Sequence, residues 1–206
     1  MNLYYAPFAC SLASHITCLE GDIPISLNRV DLGTKALSGG EMFWDVNPKG
    51  QVPTLKLDDG SVLTEGTAVL QYLADLRPDS GLAPSAGTME RYRLMEWLNF
   101  VATELHKRIL YMAFDPDSDA ATKARAREAA SSKLDLLEDH LGQTHFLLGD
   151  TFTVADAYLY WWLFLAPRAG VEIGDRPAIR KYVKICEERP TVQAAVAAEA
   201  KAQKEP

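Results

Sequence analysis

Cys10 is the residue of this chain best placed for chemistry, because it stands directly ahead of a predicted helix. Cys10-Ser11 leads into a helical stretch from Leu12 to Glu20, which Gly21 and Pro24 end. At such a start the unpaired backbone N–H groups and the helix dipole favour negative charge, which can lower a thiol pKa and make the sulfur a nucleophile. The competing reading is a small buried hydrophobe, the commoner fate of a thiol outside a disulfide. Cys18 falls inside the same helix and Cys186 in a late helical segment, so both read as packing residues. The three cysteines are odd in number and show neither CxxC nor metal-ligand spacing, and the four histidines make no metal pattern with them. Reduced thiols and no metal are expected.

Three further groupings carry a physical rationale. Glu65-Gly66 opens a helix whose apolar residues Val69, Leu70, Leu73 and Leu76 recur at helical spacing. The N–H groups of Gly66 and Thr67 there form a ready anion site, and Glu65 either holds a cation or simply complements the dipole. Asn99, Thr103 and His106 are spaced i, i+4 and i+7, which puts all three on one α-helical face. His106 there is a hydrogen-bond donor, or a surface histidine bonded to a neighbour. Thr153-Val154-Ala155-Asp156 is a capping-box pattern, structural rather than chemical, worth about 1 kcal/mol.

The elements that must position these residues divide the chain. Leu3-Tyr4-Tyr5 and Ile25 to Val30 read as strands flanking the first helix. After an ambiguous, glycine-interrupted segment, Val52 to Leu57 and Val62 to Thr64 form a hairpin through Asp59-Gly60. The order β-α-β-(α)-β-β-α is that of a thioredoxin-like α/β domain. Pro78 to Gly87 is a linker rich in Pro, Gly, Ser and Ala, and beyond it only helices are expected. Leu98, Val101, Leu105 and Met112 mark one amphipathic helix, and Leu134, Leu137 and Leu141 another. Tyr158 to Leu165, apolar on every side, marks a helix buried inside a bundle.

A content of 48% hydrophobic and 24% charged residues is ordinary for a globular protein. The net charge of −7 repels phosphate backbones and anionic lipid, so no nucleic acid or membrane partner is expected. The N-terminal MNLYYAPFAC lacks the basic start and apolar core of a secretory signal, and Ala157–Ala166 is about half the length of a membrane span. A cytoplasmic location is the expectation.

Particular strings carry a resemblance. Leu3-Tyr4-Tyr5-Ala6-Pro7 with Ala9-Cys10-Ser11-Leu12 resembles the start of bacterial, cysteine-containing (beta-class) glutathione transferases. So do Val30-Asp31-Leu32 with Lys35, Asn47-Pro48-Lys49-Gly50-Gln51-Val52-Pro53, and Leu63-Thr64-Glu65-Gly66. Asn99, His106 and Phe152-Thr153-Val154-Ala155-Asp156 agree in the helical half. Each string is weak alone; their joint order spans nearly the whole chain.

The resemblance implies a homodimer with a thioredoxin-like glutathione-binding domain over residues 1–77, a linker over 78–87 and an all-α domain over 88–206. It implies that Cys10 lies beside the glutathione sulfur and that His106 donates a hydrogen bond there. Val52-Pro53 would be a cis pair whose backbone pairs with the cysteinyl backbone of the tripeptide. Lys35 would neutralise the glycine carboxylate, Glu65 and Gly66 would hold the γ-glutamyl end, and Asn99 and Thr103 would complete the site. Pro7, Phe8, Met112 and Phe114 are candidates for the pocket of a second, hydrophobic electrophile. Glutathione is then a co-substrate, with no other cofactor. Alternative readings are thiol–disulfide exchange or peroxide reduction through Cys10, and a non-enzymatic carrier using Tyr111, Met112, Phe114, Trp161 and Trp162.

Overall fold

A computed structural model of the protein describes residues 1–204, which form two compact units. Residues 1–83 together with the C-terminal segment from Pro190 make the first, and Pro84–Arg189 make the second.

The first unit is built on a four-stranded sheet of order β2-β1-β3-β4. β1 (Asn2–Tyr5) pairs in parallel with β2 (Ser26–Arg29) and antiparallel with β3 (Thr54–Lys56), which pairs antiparallel with β4 (Val62–Leu63). α1 (Ser11–Glu20) provides the crossover between the parallel strands, and α2 (Gly66–Asp75) packs against it. Side chains alternate along β1. Leu3 joins Leu55, Cys18, Val69 and Leu73 in one core cluster, while Tyr4 joins Val30, Phe43 and Val52 in another. The Asp59-Gly60 turn closes the expected hairpin, with Gly60 in left-handed backbone and Asp59 accepting from the Ser61 N–H and hydroxyl.

The expected domain division differs at its end. The last helix, α8 (Pro190–Lys204), belongs to the first unit rather than to the helical one. It packs on α1 through buried Val192 and Ala195 and sends the carboxylate of Glu199, wholly buried, to the loop after β1.

The second unit is all helical. α3 (Met89–Asn99) starts on a Thr88 side-chain cap and continues without a break into a π-helical stretch, Phe100–Tyr111, and the short α4 (Met112–Phe114). α6 (Val154–Leu165), buried over its whole length from Val154 to Leu163, packs on α3, the π-helical stretch and α7 (Pro177–Glu187), while α5 (Ala120–Leu141) packs on the π-helical stretch and α7. The capping box forms as expected: the Thr153 N–H donates to Asp156 Oδ2 at 2.9 Å. Asp156 does more than cap. Its other oxygen accepts from the Leu147 N–H at 2.9 Å and the Tyr182 hydroxyl at 3.2 Å, which ties the preceding loop and α7 to the helix start.

Among the described residues no helix is long and apolar enough to cross a membrane.

Candidate active site

Cys10 is the N-cap of α1, half-buried, and its side chain does not cap the helix. The thiol instead donates to the Val52 carbonyl at 3.1 Å. This contact fixes the direction of the sulfur, toward the backbone that leads into β3. Cys18 and Cys186 are sealed in their cores as expected, and burial pushes the Cys18 thiol up to about 12 and Cys186 further. Of the three, only Cys10 keeps a reachable sulfur.

The loop that carries Cys10 is held from a distance. Phe8 takes a left-handed backbone, φ 60°, and its N–H donates to Glu199 Oε2 at 2.6 Å. Glu199 Oε1 meets His15 Nδ1 at 3.1 Å, one helical turn inside α1. Burial raises the Glu199 carboxyl above the usual range, opposed by its hydrogen bonds from His15 and Phe8. A buried carboxyl on α8 thus joins the turn before Cys10 to the helix after it. Neither His15 nor Glu199 is distinguishable in the sequence, where each looks like an isolated polar residue on an amphipathic helix.

Val52-Pro53 is a cis peptide, as the resemblance implied. The segment leading into it is set by Asn47, almost fully buried, whose amide donates to the Gln51 carbonyl and the Thr54 hydroxyl, both at 2.9 Å. Its Oδ1 accepts from the Lys49 N–H at 3.0 Å, an Asx-type closure that a lone Asn before Pro could have signalled. Pro53 in turn lies under Gly66: a Cβ added there would stand 3.7 Å from the proline ring, an ordinary contact. Cys10, Val52, Pro53 and Gly66 therefore follow one another in space.

Glu65 is the N-cap of α2, exposed, with a left-handed φ of 70°. Its carbonyl accepts the N–H groups of Ala68 and Val69, and the N–H groups of Gly66 and Thr67 stand ahead of those first helical bonds. Its carboxylate meets Lys49 Nζ at 2.6 Å, and the same ammonium donates to Thr64 Oγ1 at 3.0 Å. The cation expected on Glu65 is thus supplied by the chain itself.

Lys35, expected as a loop lysine, is half-buried and also left-handed, φ 61°. Its Nζ donates to the Gly50 carbonyl at 3.0 Å and lies 5.7 Å from the Trp44 ring centroid.

The residues from the helical unit are arranged differently from the expectation. Asn99 and Thr103 stay together on the surface, the Thr103 hydroxyl donating to the Asn99 carbonyl at 2.9 Å. His106 leaves their face. Its Nδ1 meets the Tyr158 hydroxyl at 2.7 Å, and its ring stands edge-on to Trp161 at 4.6 Å. The i, i+4, i+7 rule assumes an α-helix, whereas π-helical bonding to i+5 turns the chain less per residue. The buried positions Val101, Leu105, Ile109 and Leu110 follow the wider turn. Burial, helped by the Lys107 charge, lowers His106 to about 4, so the imidazole is neutral at pH 7.

Pro7 and Phe8 are half-buried in the first unit, and in the second Met112 is half-buried and Phe114 exposed. Trp161 and Trp162 are core residues, the Trp162 indole donating to the Leu105 carbonyl at 2.9 Å.

Known proteins share this sequence pattern and fold. Residues 9–76 match the model for the glutathione S-transferase N-terminal domain, and residues 120–193 match that for the C-terminal domain. Glutathione S-transferase GstA of Escherichia coli O157:H7 is 44% identical over 199 residues, covering 97% of this chain and 98% of the relative. The structure of a beta-class glutathione S-transferase from Sphingomonas chungbukensis superposes with a TM-score of 0.93 at 40% identity, covering 97% of this chain and 98% of that one. A sphingomonad glutathione S-transferase solved with glutathione gives the same TM-score and identity, with 97% and 99% covered. The chain belongs to the glutathione S-transferase family, and within it to the bacterial beta class.

Proposed function

We propose that the protein conjugates reduced glutathione to small, hydrophobic electrophiles, with the tripeptide lying along the first unit. One observation carries this reading: the Cys10 thiol is hydrogen-bonded to Val52, at the cis-proline step where an extended peptide would pair with the backbone. Around that point stand a helix start with Gly66 and Thr67 N–H groups for the γ-glutamyl carboxylate and Lys35 for the glycine carboxylate. Glu65, with its Lys49 partner displaced or shared, takes the γ-glutamyl ammonium.

The chemical task is to ionise the glutathione thiol near neutral pH, a lowering that corresponds to about 2 kcal/mol of differential stabilisation. Rotation of the Cys10 side chain away from Val52 hands its S–H to the thiolate as a hydrogen bond, and neutral His106 is a second donor. The glutathione proton leaves to solvent, the thiolate sulfur forms the new C–S bond, and the electrophile's leaving group departs with its electron pair. The same reading assigns Asn99 and Thr103 to glutathione, and Pro7, Phe8, Met112 and Phe114 to the electrophile. A homodimer in the cytoplasm, with glutathione as co-substrate and no other cofactor, belongs to the same proposal. Exposed Met89, Tyr92, Met95 and Leu136 give a dimer apolar surface to cover.

The test is the rate of aryl halide conjugation against glutathione concentration, with retention on immobilised glutathione and light scattering for the dimer. A rate that does not depend on glutathione, with no retention, overturns the proposal. Thiol–disulfide exchange is a second reading, favoured by Cys10 being the reachable cysteine. Cys10→Ser separates the two: conjugation that survives while disulfide reduction vanishes assigns Cys10 to redox work.

A further inference from the structure

The segment between β2 and β3 contains an arrangement that the sequence leaves unread. Trp44 sits at the centre of the single 3₁₀ turn Phe43–Asp45, just after the backbone that carries Lys35 has been tied down. The Lys35 N–H donates to the Asp31 carbonyl and the Lys35 carbonyl accepts from the Phe43 N–H, both at 2.8 Å. Phe43 is fully buried, so the turn is anchored in the core cluster behind the sheet. Trp44, next along, is 45% exposed, an unusual position for so large an apolar ring.

What holds the ring there is Gly50. A Cβ at Gly50 would fall 2.4–3.0 Å from Trp44 Cζ3, Cη2 and Cε3, so the indole face lies directly on the glycine backbone. The ring centroid is 5.7 Å from the Lys35 ammonium, which also donates to the Gly50 carbonyl. Trp44, Gly50 and Lys35 therefore form a closed triangle. Neither a carbonyl nor an aromatic face neutralises an ammonium, so these two contacts fix its position while leaving its charge available to an anion. The left-handed backbone of Lys35 has a physical sense in this setting, since unfavourable φ values persist where surrounding contacts over-determine them. Two residues beyond Gly50 is Val52, whose carbonyl receives the Cys10 thiol. Lys35 is thus tied to the same stretch of backbone as the reacting end of the site.

We infer that Trp44 is a positioning residue for glutathione: seated on Gly50, it holds the Lys35 ammonium where the glycine carboxylate arrives. The inference rests on the reading of Lys35 given under the proposed function. Trp44 acts on binding rather than on chemistry, and its effect passes only through the glycine end of the tripeptide.

The experiment compares glutathione with γ-glutamylcysteine, which lacks that carboxylate, in aryl halide conjugation by wild type, Trp44→Phe, Trp44→Ala and Lys35→Met. For Trp44→Ala the KM for glutathione should rise roughly tenfold with kcat within about twofold, the scale of a lost, partly desolvated cation–π support. The KM for γ-glutamylcysteine should stay within about twofold, and Trp44→Phe should fall between. On the Lys35→Met background, Trp44→Ala should add nothing further. An equal rise for both thiols, or an unchanged KM for glutathione in a variant of native circular dichroism, overturns the role of Trp44. If Trp44→Ala fails to fold, the Trp44→Phe comparison across the two thiols decides by the same criterion. The underlying reading fails separately, when wild type shows no preference for glutathione over γ-glutamylcysteine and Lys35→Met does not change it.

Discussion

The two units hold their functional groups by different physics. All four non-glycine residues with left-handed backbone among the described residues, Phe8, Asp22, Lys35 and Glu65, lie in the first unit. Two of them are candidate glutathione contacts themselves, and Phe8 lies two residues before Cys10. Each is restrained: Phe8 by Glu199, Asp22 by Arg77, Lys35 by Asp31, Phe43 and Gly50, Glu65 by Lys49. The second unit instead places His106 by burying it, between Tyr158 and Trp161, on a continuous helical rod. Loops that carry the candidate glutathione contacts depend on specific hydrogen bonds. A histidine set inside a helical unit depends on apolar packing, which shifts its pKa in the process. Substitutions in the first unit should therefore act through strain and lost hydrogen bonds, and changes in the second through the cost of charging its interior.

The sharpest way to break the comparison is Gly50→Ala. The added methyl meets the Trp44 ring in a left-handed backbone, so strain and overpacking together should cost about 4 kcal/mol, read as a lowered urea midpoint. Normal stability would mean that Trp44 yields easily and that the first unit is not held as described.

The second unit is tested by acid. Burial holds the folded His106 imidazole near 4, against about 6.5 for an imidazole in the unfolded chain, so the folded state binds fewer protons in that interval. Stability should be full above about pH 6.5, fall as the pH drops toward 4, and level off below, a loss of roughly 3 kcal/mol. Burial raises Asp156 and Glu199, which gives these carboxyls the opposite slope, so the His106 share is isolated by comparing wild type with His106→Asn at pH 7 and pH 4.5. Identical pH dependence in the two proteins would refute the assignment.

Glu199→Gln probes the hold on the Cys10 loop. One amide oxygen cannot serve both the Phe8 N–H and His15, so about 1–3 kcal/mol of stability should be lost. Conjugation should weaken beyond what the change in folded fraction explains. Unchanged turnover would make Glu199 a purely structural acid.

The smallest effect belongs to the exposed Lys49–Glu65 pair. Lys49→Met should move stability by less than about 1 kcal/mol. If Lys49 competes for Glu65, the same variant should lower the KM for glutathione slightly; a higher KM would mean that Lys49 supports Glu65 in the complex.

Much of this protein was determined by sequence alone, and the legible parts share a cause. The strands of the first unit, α1, α2, the Asp59-Gly60 turn, the Thr153–Asp156 cap and the buried α6 are set by patterns a few residues long. Side-chain periodicity, turn chemistry and capping act at that range. Cys18 and Cys186 follow for the same reason, since apolar neighbours at helical spacing place them in a core. The tertiary structure alone decided the strand order, the assignment of α8 to the first unit, the partner of Cys10 42 residues away and the Glu199–Phe8 bond across 191. It also turned His106 off the face of Asn99 and Thr103, because the stretch Phe100–Tyr111 takes a π-helical turn that no local pattern announces. Such contacts depend on which surfaces bury against each other, and chain separation restricts that choice only weakly.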